Sequence, residues 1–284
     1  MKKETIISGA EGRALVADMH LSDIAPVAPL VIYAHGFSGF KDWGNGDLLA
    51  RYFNDAGLHF LKFNFSHNGT TPDRQEAFAD PEAFGHNNFT KQLTDLDCLM
   101  SWIHDEAFPF RGEVDLRNIV LIGHSMGGGT AVLYTASDHR ISQLITWASV
   151  GLATTPWGKW DSNRMLAWKE KGVECYTNSR TGQNLPLYYQ LYEDYCNYAE
   201  RLDIPMAAGR VKVPWLICHG KRDVAVLWEV AAQLHREASN AELFLMDADH
   251  TFGRVHPWQG KEFGVEMSML LEKSIGYIKA HIRL

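Results

Sequence analysis

The pentapeptide Gly123-His124-Ser125-Met126-Gly127 constrains this chain most, because it stands where an apolar strand must turn sharply into a helix. Residues 118–122 are typical of a buried strand, and residues 126–137 are predicted to form a helix packed closely against it. Glycines two residues before and after Ser125 leave room for this turn, because a Cβ atom at either position would collide with the neighbouring strand or helix. Such a pentapeptide also occurs by chance in loops, but its setting here predicts a strained serine exposed at a sheet edge.

Strand-like and helix-like segments alternate through most of the chain. Predicted strands lie at 5–8, 14–22, 30–34, 59–65, 118–122, 142–150, 213–218 and 241–246, and predicted helices lie at 47–56, 93–103, 126–137, 228–238 and 268–283. The first two strands are expected to pair as an antiparallel hairpin at the sheet edge, and residues 66–89 to form a long loop. The alternation predicts an α/β fold, with a mostly parallel central sheet and helices on both faces. Ligands bind such sheets beyond the carboxyl ends of the strands, where Ser125 lies.

The alternation is interrupted between residues 151 and 210, where aromatic residues are dense. A structureless loop of this length is uncommon in a compact domain, so we interpret the segment as an inserted helical cap over the active site. Residues 1–150 and 211–284 would then form the α/β core, for which 284 residues suffice. Some cap aromatics could contact a substrate while the others form the cap's own small core. The candidates for substrate contact are Trp157, Trp160, Tyr188 and Tyr189.

Composition limits the partners. A formal net charge of −7 without any basic run argues against binding to nucleic acid or to an anionic membrane. No apolar run approaches a membrane span, and no apolar signal segment follows the first residues, so we expect a cytoplasmic protein. The oligomeric state stays open, with a homodimer as one alternative. The four cysteines (Cys98, Cys175, Cys196 and Cys218) have no metal-ligand spacing, which predicts no metal site and a reducing compartment.

A serine hydroxyl becomes an effective nucleophile when a neighbouring base removes its proton. Asp223 follows the strand at 213–218 and His250 follows the strand at 241–246, so both are expected at the same sheet edge as Ser125. We predict that His250 acts as the base, and that Asp223 holds its ring in the required tautomer. The alternative role for Asp223 is to cap the helix that follows it.

Other acids and histidines in these loops suit the roles less well. Asp247 and Asp249 are too close to His250 along the chain to reach the far side of its ring easily. His124 is expected to point away from the serine hydroxyl because of its place within the turn. His256 lies further along the loop beside a proline and is expected to be structural.

The segment His35-Gly36-Phe37-Ser38-Gly39 ends its strand at the same sheet edge. The backbone amide of Phe37 can therefore converge with that of Met126 on one oxygen atom, which predicts an oxyanion hole. The alternative is an ordinary strand-to-helix turn that contains glycine.

Together these residues resemble the α/β-hydrolase family over essentially the whole chain. The sequences HGFSG at 35–39, GHSMGG at 123–128 and FNFSHNG at 63–69, with the cap inserted before Asp223, are similar to bacterial feruloyl (cinnamoyl) esterases and their relatives. The resemblance implies a serine carboxylester hydrolase that needs no cofactor and acts on a small-molecule ester, with a cap that helps to bind an aromatic acyl group.

Other functions stay open at this stage. A prolyl-oligopeptidase-like serine peptidase shares the order serine, acid, histidine, and a thioesterase or an acylglycerol lipase would use the same residues. A catalytically silent binding module is the alternative outside the enzymes. Such modules usually lack part of the catalytic set, and Ser125, Asp223 and His250 are all present here.

Overall fold

A central sheet of eight strands organises the computed structural model, which describes residues 2–283. The strands along the chain are β1 (Lys2–Ser8), β2 (Ala14–His20), β3 (Ala28–Ala34), β4 (His59–Phe63), β5 (Val114–His124), β6 (Gln143–Trp147), β7 (Val173–Thr177), β8 (Asn184–Tyr188), β9 (Trp215–Gly220) and β10 (Ala241–Met246). The α-helices are α1 (Gly46–Asp55), α2 (Pro81–Gly85), α3 (Phe89–His104), α4 (Met126–Thr135), α5 (Ser162–Lys171), α6 (Gln190–Asn197), α7 (Ile204–Arg210), α8 (Glu229–Glu237) and α9 (Val265–Ala280).

The order of strands across the central sheet is β1-β2-β4-β3-β5-β6-β9-β10. β2 pairs antiparallel with β1 and with β4, and all other neighbours in the sheet are parallel. The predicted edge hairpin and the mostly parallel α/β sheet are therefore confirmed. The carboxyl ends of β3, β5, β9 and β10 meet at one edge of the sheet, because these strands run in the same direction.

Side chains of β3 alternate between two apolar clusters on opposite faces of the sheet. Leu30 belongs to the cluster that includes Leu96 of α3, whereas its neighbour Val31 belongs to the cluster that includes Phe53 of α1. Burial of each such side chain stabilises the fold by about 1.5–3 kcal/mol. Successive side chains of a strand point to opposite faces of the sheet, and both sets are buried here. Helices thus cover both faces.

The segment at 66–89 differs from the predicted loop because it contains helix α2. The Asp80 carboxylate accepts a hydrogen bond from the backbone amide of Ala83 at 2.9 Å, and Pro81 occupies the first turn. An acidic cap followed by proline is a favourable helix start. The helix is only five residues long, which leaves no apolar period for a sequence pattern to reveal.

Residues 151–210 contain the antiparallel pair β7 and β8 besides helices α5, α6 and α7. The hairpin was not predicted, because side chains of β7 alternate only between exposed and half-buried positions and give no apolar run. Helix α7 packs against α4 and α8 of the α/β core. The division into a core and a cap at residues 150 and 211 stays a prediction.

Helices α3 and α9 each have 16 residues and are the longest between residues 2 and 283. A helix that crosses a membrane needs about 20 residues that are mostly apolar. Within this range no helix combines the necessary length and apolar character.

Candidate active site

Ser125 occupies the predicted tight turn between β5 and α4 and has a strained backbone, with φ 56° and ψ −119°. A Cβ atom on Gly123 would lie 2.3 Å from the carbonyl oxygen of Gly127, and one on Gly127 would lie 2.3 Å from that of His35. Only glycine fits at these two positions, since real Cβ atoms do not approach an oxygen so closely. The turn therefore confirms the steric interpretation of the pentapeptide.

This crowding makes a stability prediction. Gly127→Ala is expected to lower the free energy of unfolding by about 3 kcal/mol, because the added methyl group meets backbone carbonyls that cannot move without opening the sheet. Gly276 is the matched control, since it also lies in a helix, but a Cβ atom there would have no atom of a neighbouring element within 4 Å. Gly276→Ala should raise stability by about 0.5–1 kcal/mol. Urea unfolding measures both, and equal midpoints for Gly127→Ala and wild type would contradict the steric argument.

The structure brings Ser125, His250 and Asp223 together. Nε2 of His250 lies 3.0 Å from Oγ of Ser125, and Nδ1 of His250 lies 2.7 Å from Oδ2 of Asp223. An ionised carboxylate can only accept a hydrogen bond, so Nδ1 carries the proton and donates to Asp223. Nε2 is then free to accept the proton of the serine hydroxyl, which is the arrangement that a general base needs.

Asp223 is buried at 3% exposure and makes four polar contacts. Its Oδ1 accepts from the backbone amides of Ala225 and Val226, and its Oδ2 lies 3.2 Å from Nε2 of His219 besides contacting His250. Burial alone would raise the pKa of this carboxyl, but the hydrogen bonds from His219 and His250 outweigh it and hold the pKa well below its usual range. Asp223 is therefore ionised whenever the protein is folded near neutral pH.

His219 was not singled out from the sequence, although it is the penultimate residue of β9 and lies four residues before Asp223. Its side chain is fully buried, and its Nε2 also lies 2.9 Å from the carbonyl oxygen of Val226. Nε2–H thus donates between this carbonyl and the carboxylate of Asp223. The sequence signal that could have identified His219 is its position as a polar residue at the end of a strand, close to the predicted acid.

His124, also in the turn, makes its hydrogen bond to the backbone of His250 and not to the serine hydroxyl. Its Nε2 donates to the carbonyl oxygen of His250 at 2.9 Å, and the two rings are 5.0 Å apart. Burial lowers the pKa of His124 well below its usual value, and electrostatic interactions with the neighbouring His250 and Arg254 act in the same direction. A neutral His124 therefore holds the loop that carries His250.

The rival residues have partners of their own. His256 accepts a hydrogen bond on Nδ1 from the backbone amide of Gly44 at 3.1 Å. The carboxylate of Asp247 pairs with Arg222 at 2.7 Å, and that of Asp249 accepts from backbone amides within its own loop. None of the three carries a hydrogen bond to the serine or to His250 in the part of the chain that the structure describes.

The turn at 35–39 lies directly against Ser125, since a Cβ atom on Gly36 would be 2.9 Å from the serine Cβ. The amides of Phe37 and Met126 have no hydrogen-bond acceptor among residues 2–283. His35 holds this turn in place, because its Nδ1 lies 2.9 Å from the carbonyl oxygen of Gly36, and burial lowers its pKa to about 4. Both predicted oxyanion donors are therefore unpaired beside the serine hydroxyl.

A cavity of about 590 Å³ opens over Ser125. It is lined by Tyr33, His35, Gly36, Phe37, Ser38, Gly39, Trp43, His124, Ser125, Tyr176, Asn178, Ser179, Arg180, Ala225, His250, Thr251, Arg254, Val255 and His256. The segment 151–210 thus contributes Tyr176 and residues 178–180. The four aromatic residues predicted for substrate contact, Trp157, Trp160, Tyr188 and Tyr189, do not line this cavity.

Those four side chains pack within the inserted segment or against its neighbours. Trp160 and Tyr189 both contact the ring of Trp168 edge-on, at 5.1 and 5.2 Å between centroids. The hydroxyl of Tyr188 donates to Glu82 at 2.7 Å. Trp157 is buried against the rings of two tyrosines, Tyr192 and Tyr195. The alternative interpretation, in which cap aromatics form their own core, describes them better.

One group of metal-ligating side chains occurs among residues 2–283, and it lies outside this cavity: Asp18, His20 and Asp47. The ammonium group of Lys62 is 3.0 Å from Asp18 and 2.6 Å from Asp47. Burial and the nearby charge of Lys62 together lower the pKa of His20 to about 4. The carboxylates already neutralise a buried lysine, so the group is an ion-pair cluster rather than a suitable metal centre.

Comparisons with known proteins agree with this architecture. A family model described as alpha/beta hydrolase fold matches residues 29–174. A structure of Est1E from Butyrivibrio proteoclasticus with ferulic acid bound is similar, with a TM-score of 0.71, 18% identity and coverage of 98% of this chain and 99% of that chain. The alpha/beta hydrolase GrgF from Penicillium sp. sh18 has a TM-score of 0.71 at 16% identity, with 99% of each chain covered. The esterase domain of a Rhodothermus marinus protein has a TM-score of 0.64 at 16% identity, again with 99% of each chain covered. No curated protein matches the sequence.

Proposed function

The chain belongs to the α/β-hydrolase family, and on that basis we propose that it is a serine hydrolase that cleaves carboxylic esters. One observation carries the proposal: His250 bridges Ser125 and Asp223 with hydrogen bonds of 3.0 and 2.7 Å at the edge of a cavity. A strained serine, a correctly oriented imidazole and unpaired backbone amides beside them are the parts that acyl transfer requires.

In the proposed mechanism Oγ of Ser125 attacks the ester carbonyl while Nε2 of His250 takes the hydroxyl proton. The amides of Phe37 and Met126 donate to the oxyanion, and loss of one such donor typically costs about 3–4 kcal/mol of transition-state stabilisation. His250 then gives its proton to the departing alcohol, which leaves an acyl group on the serine. Water activated by His250 releases the acid by the same steps.

The acyl group is proposed to be aromatic, of the feruloyl or cinnamoyl type, or short. The rings of Phe37 and Tyr176 line the cavity with centroids 5.0 Å apart and offer an apolar surface to an acyl chain. The bound ferulic acid in the similar Est1E structure supports the aromatic alternative. Apolar pockets of this kind also accept alkyl chains, so the two acyl classes are compared directly in the test.

Two measurements test the proposal. An alkyl fluorophosphonate should add covalently to Ser125, located by peptide mass spectrometry, because it reacts with activated serines. Steady-state kinetics with p-nitrophenyl acetate, butyrate and octanoate beside methyl ferulate should then give saturable turnover. A higher kcat/KM for methyl ferulate supports the aromatic acyl group, and a preference for acetate or butyrate supports the short one. Turnover of thioesters or peptide amides, but of none of the esters, would overturn the assignment.

A further inference from the structure

The cavity over Ser125 contains a buried cation, Arg254, whose side chain has no carboxylate partner among residues 2–283. The residue is 1% exposed, and only its Nη2 has a polar contact, with the hydroxyl of Tyr33 at 3.3 Å. Nε and Nη1 have no hydrogen-bond acceptor in the described chain. The guanidinium lies 5.6 Å from the ring centroid of Trp43. A buried charge is costly unless it is paired, so this guanidinium needs an explanation.

None of the described residues that line the cavity is an aspartate or a glutamate. The carboxylate of Asp223 lies behind His250 and is already bonded to that ring and to His219. At the rim, Glu76 is 4.0 Å from Nε2 of His256, but its side chain is 61% exposed and hence largely screened by solvent. The charge on the guanidinium is therefore not balanced by the cavity wall.

Acidic groups near the cavity are bonded elsewhere, and the carboxylate of Asp249 accepts from backbone amides of its own loop. Asp42 contacts the ammonium groups of Lys41 and Lys62, and Glu266 contacts the guanidinium of Arg222. These three cations lie outside the cavity lining. The described lining therefore carries the positive charge of Arg254 and no carboxylate, and a charge in such a cavity acts over a longer range than it would in open solvent.

A second cation, Arg180, lies on the same cavity and is exposed. Its guanidinium carbon is 5.8 Å from the ring centroid of Phe40, and it has no ion pair with any residue that the structure describes. The side chain of Asn178 anchors its loop: it accepts from the backbone amides of Arg180 and Thr181 and donates to Oγ of Ser38. Arg180 is thus presented on a fixed loop beside the turn that carries the proposed oxyanion donor.

We propose that the cavity selects esters that carry a second, anionic oxygen group, either a carboxylate or a phosphate. Arg180 binds this group directly, because an exposed guanidinium offers a fork of donors that matches both anions. Arg254 does not contact the group through Nε or Nη1, because both atoms are covered. It attracts the group by its charge, and its Nη2 holds the hydroxyl of Tyr33 in place. The inference rests on the proposed ester hydrolysis at Ser125 and names the substrate class of that site.

Matched ester pairs test the selectivity. Monoethyl glutarate is compared with ethyl pentanoate, 4-acetoxybutanoate with butyl acetate, and ethyl 4-phosphonobutanoate again with ethyl pentanoate. In each pair the neutral ester has a methyl group in place of the anion. The first pair has a carboxylate on the acyl side, the second a carboxylate on the alcohol side, and the third a phosphonate on the acyl side. Wild type is expected to have a kcat/KM about 10- to 100-fold higher for the anionic member of at least one pair, as for a charge-assisted contact. No preference in any pair overturns the proposal.

Variants assign the preference to the two arginines. Arg180→Met should lower the ratio of kcat/KM for the anionic and neutral members about tenfold or more, whereas Arg180→Lys should retain part of it. Arg254→Met should lower the same ratio, and Arg254→Lys keeps a positive charge in case the methionine variant does not fold. Arg117 is exposed on β5, outside the cavity lining, and Arg117→Met is the control that should leave the ratio unchanged. Equal losses for both members of a pair would indicate a purely structural role and contradict the proposal.

A binding measurement separates this proposal from that of ester hydrolysis. Calorimetric titration of wild type with glutarate and with inorganic phosphate should show saturable binding, weakened in Arg180→Met and by high salt. If no ester is hydrolysed but one of these anions binds, the assigned reaction fails while the anion site stands. If the esters are hydrolysed but neither anion binds and no pair shows a preference, the anion site fails alone.

Discussion

Ser125→Ala is expected to abolish ester hydrolysis and to leave the fold intact. Loss of a nucleophile that acts together with its base lowers kcat by about five to six orders of magnitude, which brings the rate to the background of the assay. The substitution removes only Oγ, whose one hydrogen bond within residues 2–283 is to Nε2 of His250. Serine and alanine tolerate the strained φ of 56° about equally, so the free energy of unfolding should change little.

Ser142→Ala is the matched control for this experiment. Ser142 is also buried, but its Oγ donates to the carbonyl oxygen of Ile119, at the end of the sheet opposite to the cavity. It should retain wild-type kcat and react with the fluorophosphonate. Circular dichroism and thermal melting check that both variants fold. Ester turnover by pure, folded Ser125→Ala at the wild-type rate would mean that another residue is the nucleophile.

The resemblance to the α/β-hydrolase family is confirmed by the family match and by the fold. The sequence reached this conclusion from local constraints that three-dimensional packing does not override. Gly123 and Gly127 show the reason, since each is required by contacts with a backbone carbonyl that any chain with this turn must make. The same holds for Asp223 and His250. The carboxyl ends of parallel strands lie at one edge of the sheet, so residues that directly follow such strands are expected near Ser125.

The inserted segment was less predictable because its pattern lacks a regular period. Trp168 of α5 is fully buried, and its indole donates at 2.7 Å to the carbonyl oxygen of Leu187 on β8, a strand of the hairpin that the sequence did not reveal. The density of aromatic residues indicated contacts among rings but not which rings would face the cavity. Tyr176, flanked by exposed residues on β7, lines the cavity instead of the four candidates.

The two cavity arginines could not be identified from sequence for a different reason. Arg254 follows His250 by four residues, and an arginine in a loop is ordinarily solvated. Its burial depends on Tyr33 at the end of β3 and Trp43 before α1, which are far away along the chain. Only the folded structure shows that no aspartate or glutamate among the described residues pairs with Arg254.

Asp223→Asn is the second substitution expected to have a large effect, a fall in kcat of about 10⁴-fold. The orientation of the new amide is dictated by the site. Oδ1 of Asp223 accepts from the backbone amides of Ala225 and Val226, so the carbonyl oxygen of asparagine takes this place. Its NH₂ group then faces Nδ1 of His250, while Nε2–H of His219 keeps its bond to the carbonyl oxygen of Val226. An NH₂ group donates, so the imidazole is forced into the tautomer with its proton on Nε2.

With a proton on Nε2, His250 cannot accept one from Ser125, and the serine stays a weak nucleophile even though its position is unchanged. The effect should therefore appear in kcat and in the rate of fluorophosphonate labelling, rather than in KM. Asp247→Asn is the control, because that carboxylate is 82% exposed and pairs with Arg222 on the surface. It should leave kcat within about twofold of wild type, as expected for an exposed ion pair. A 10⁴-fold loss in Asp247→Asn, with Asp223→Asn active, would identify Asp247 as the acid and require His250 to turn from the orientation seen here.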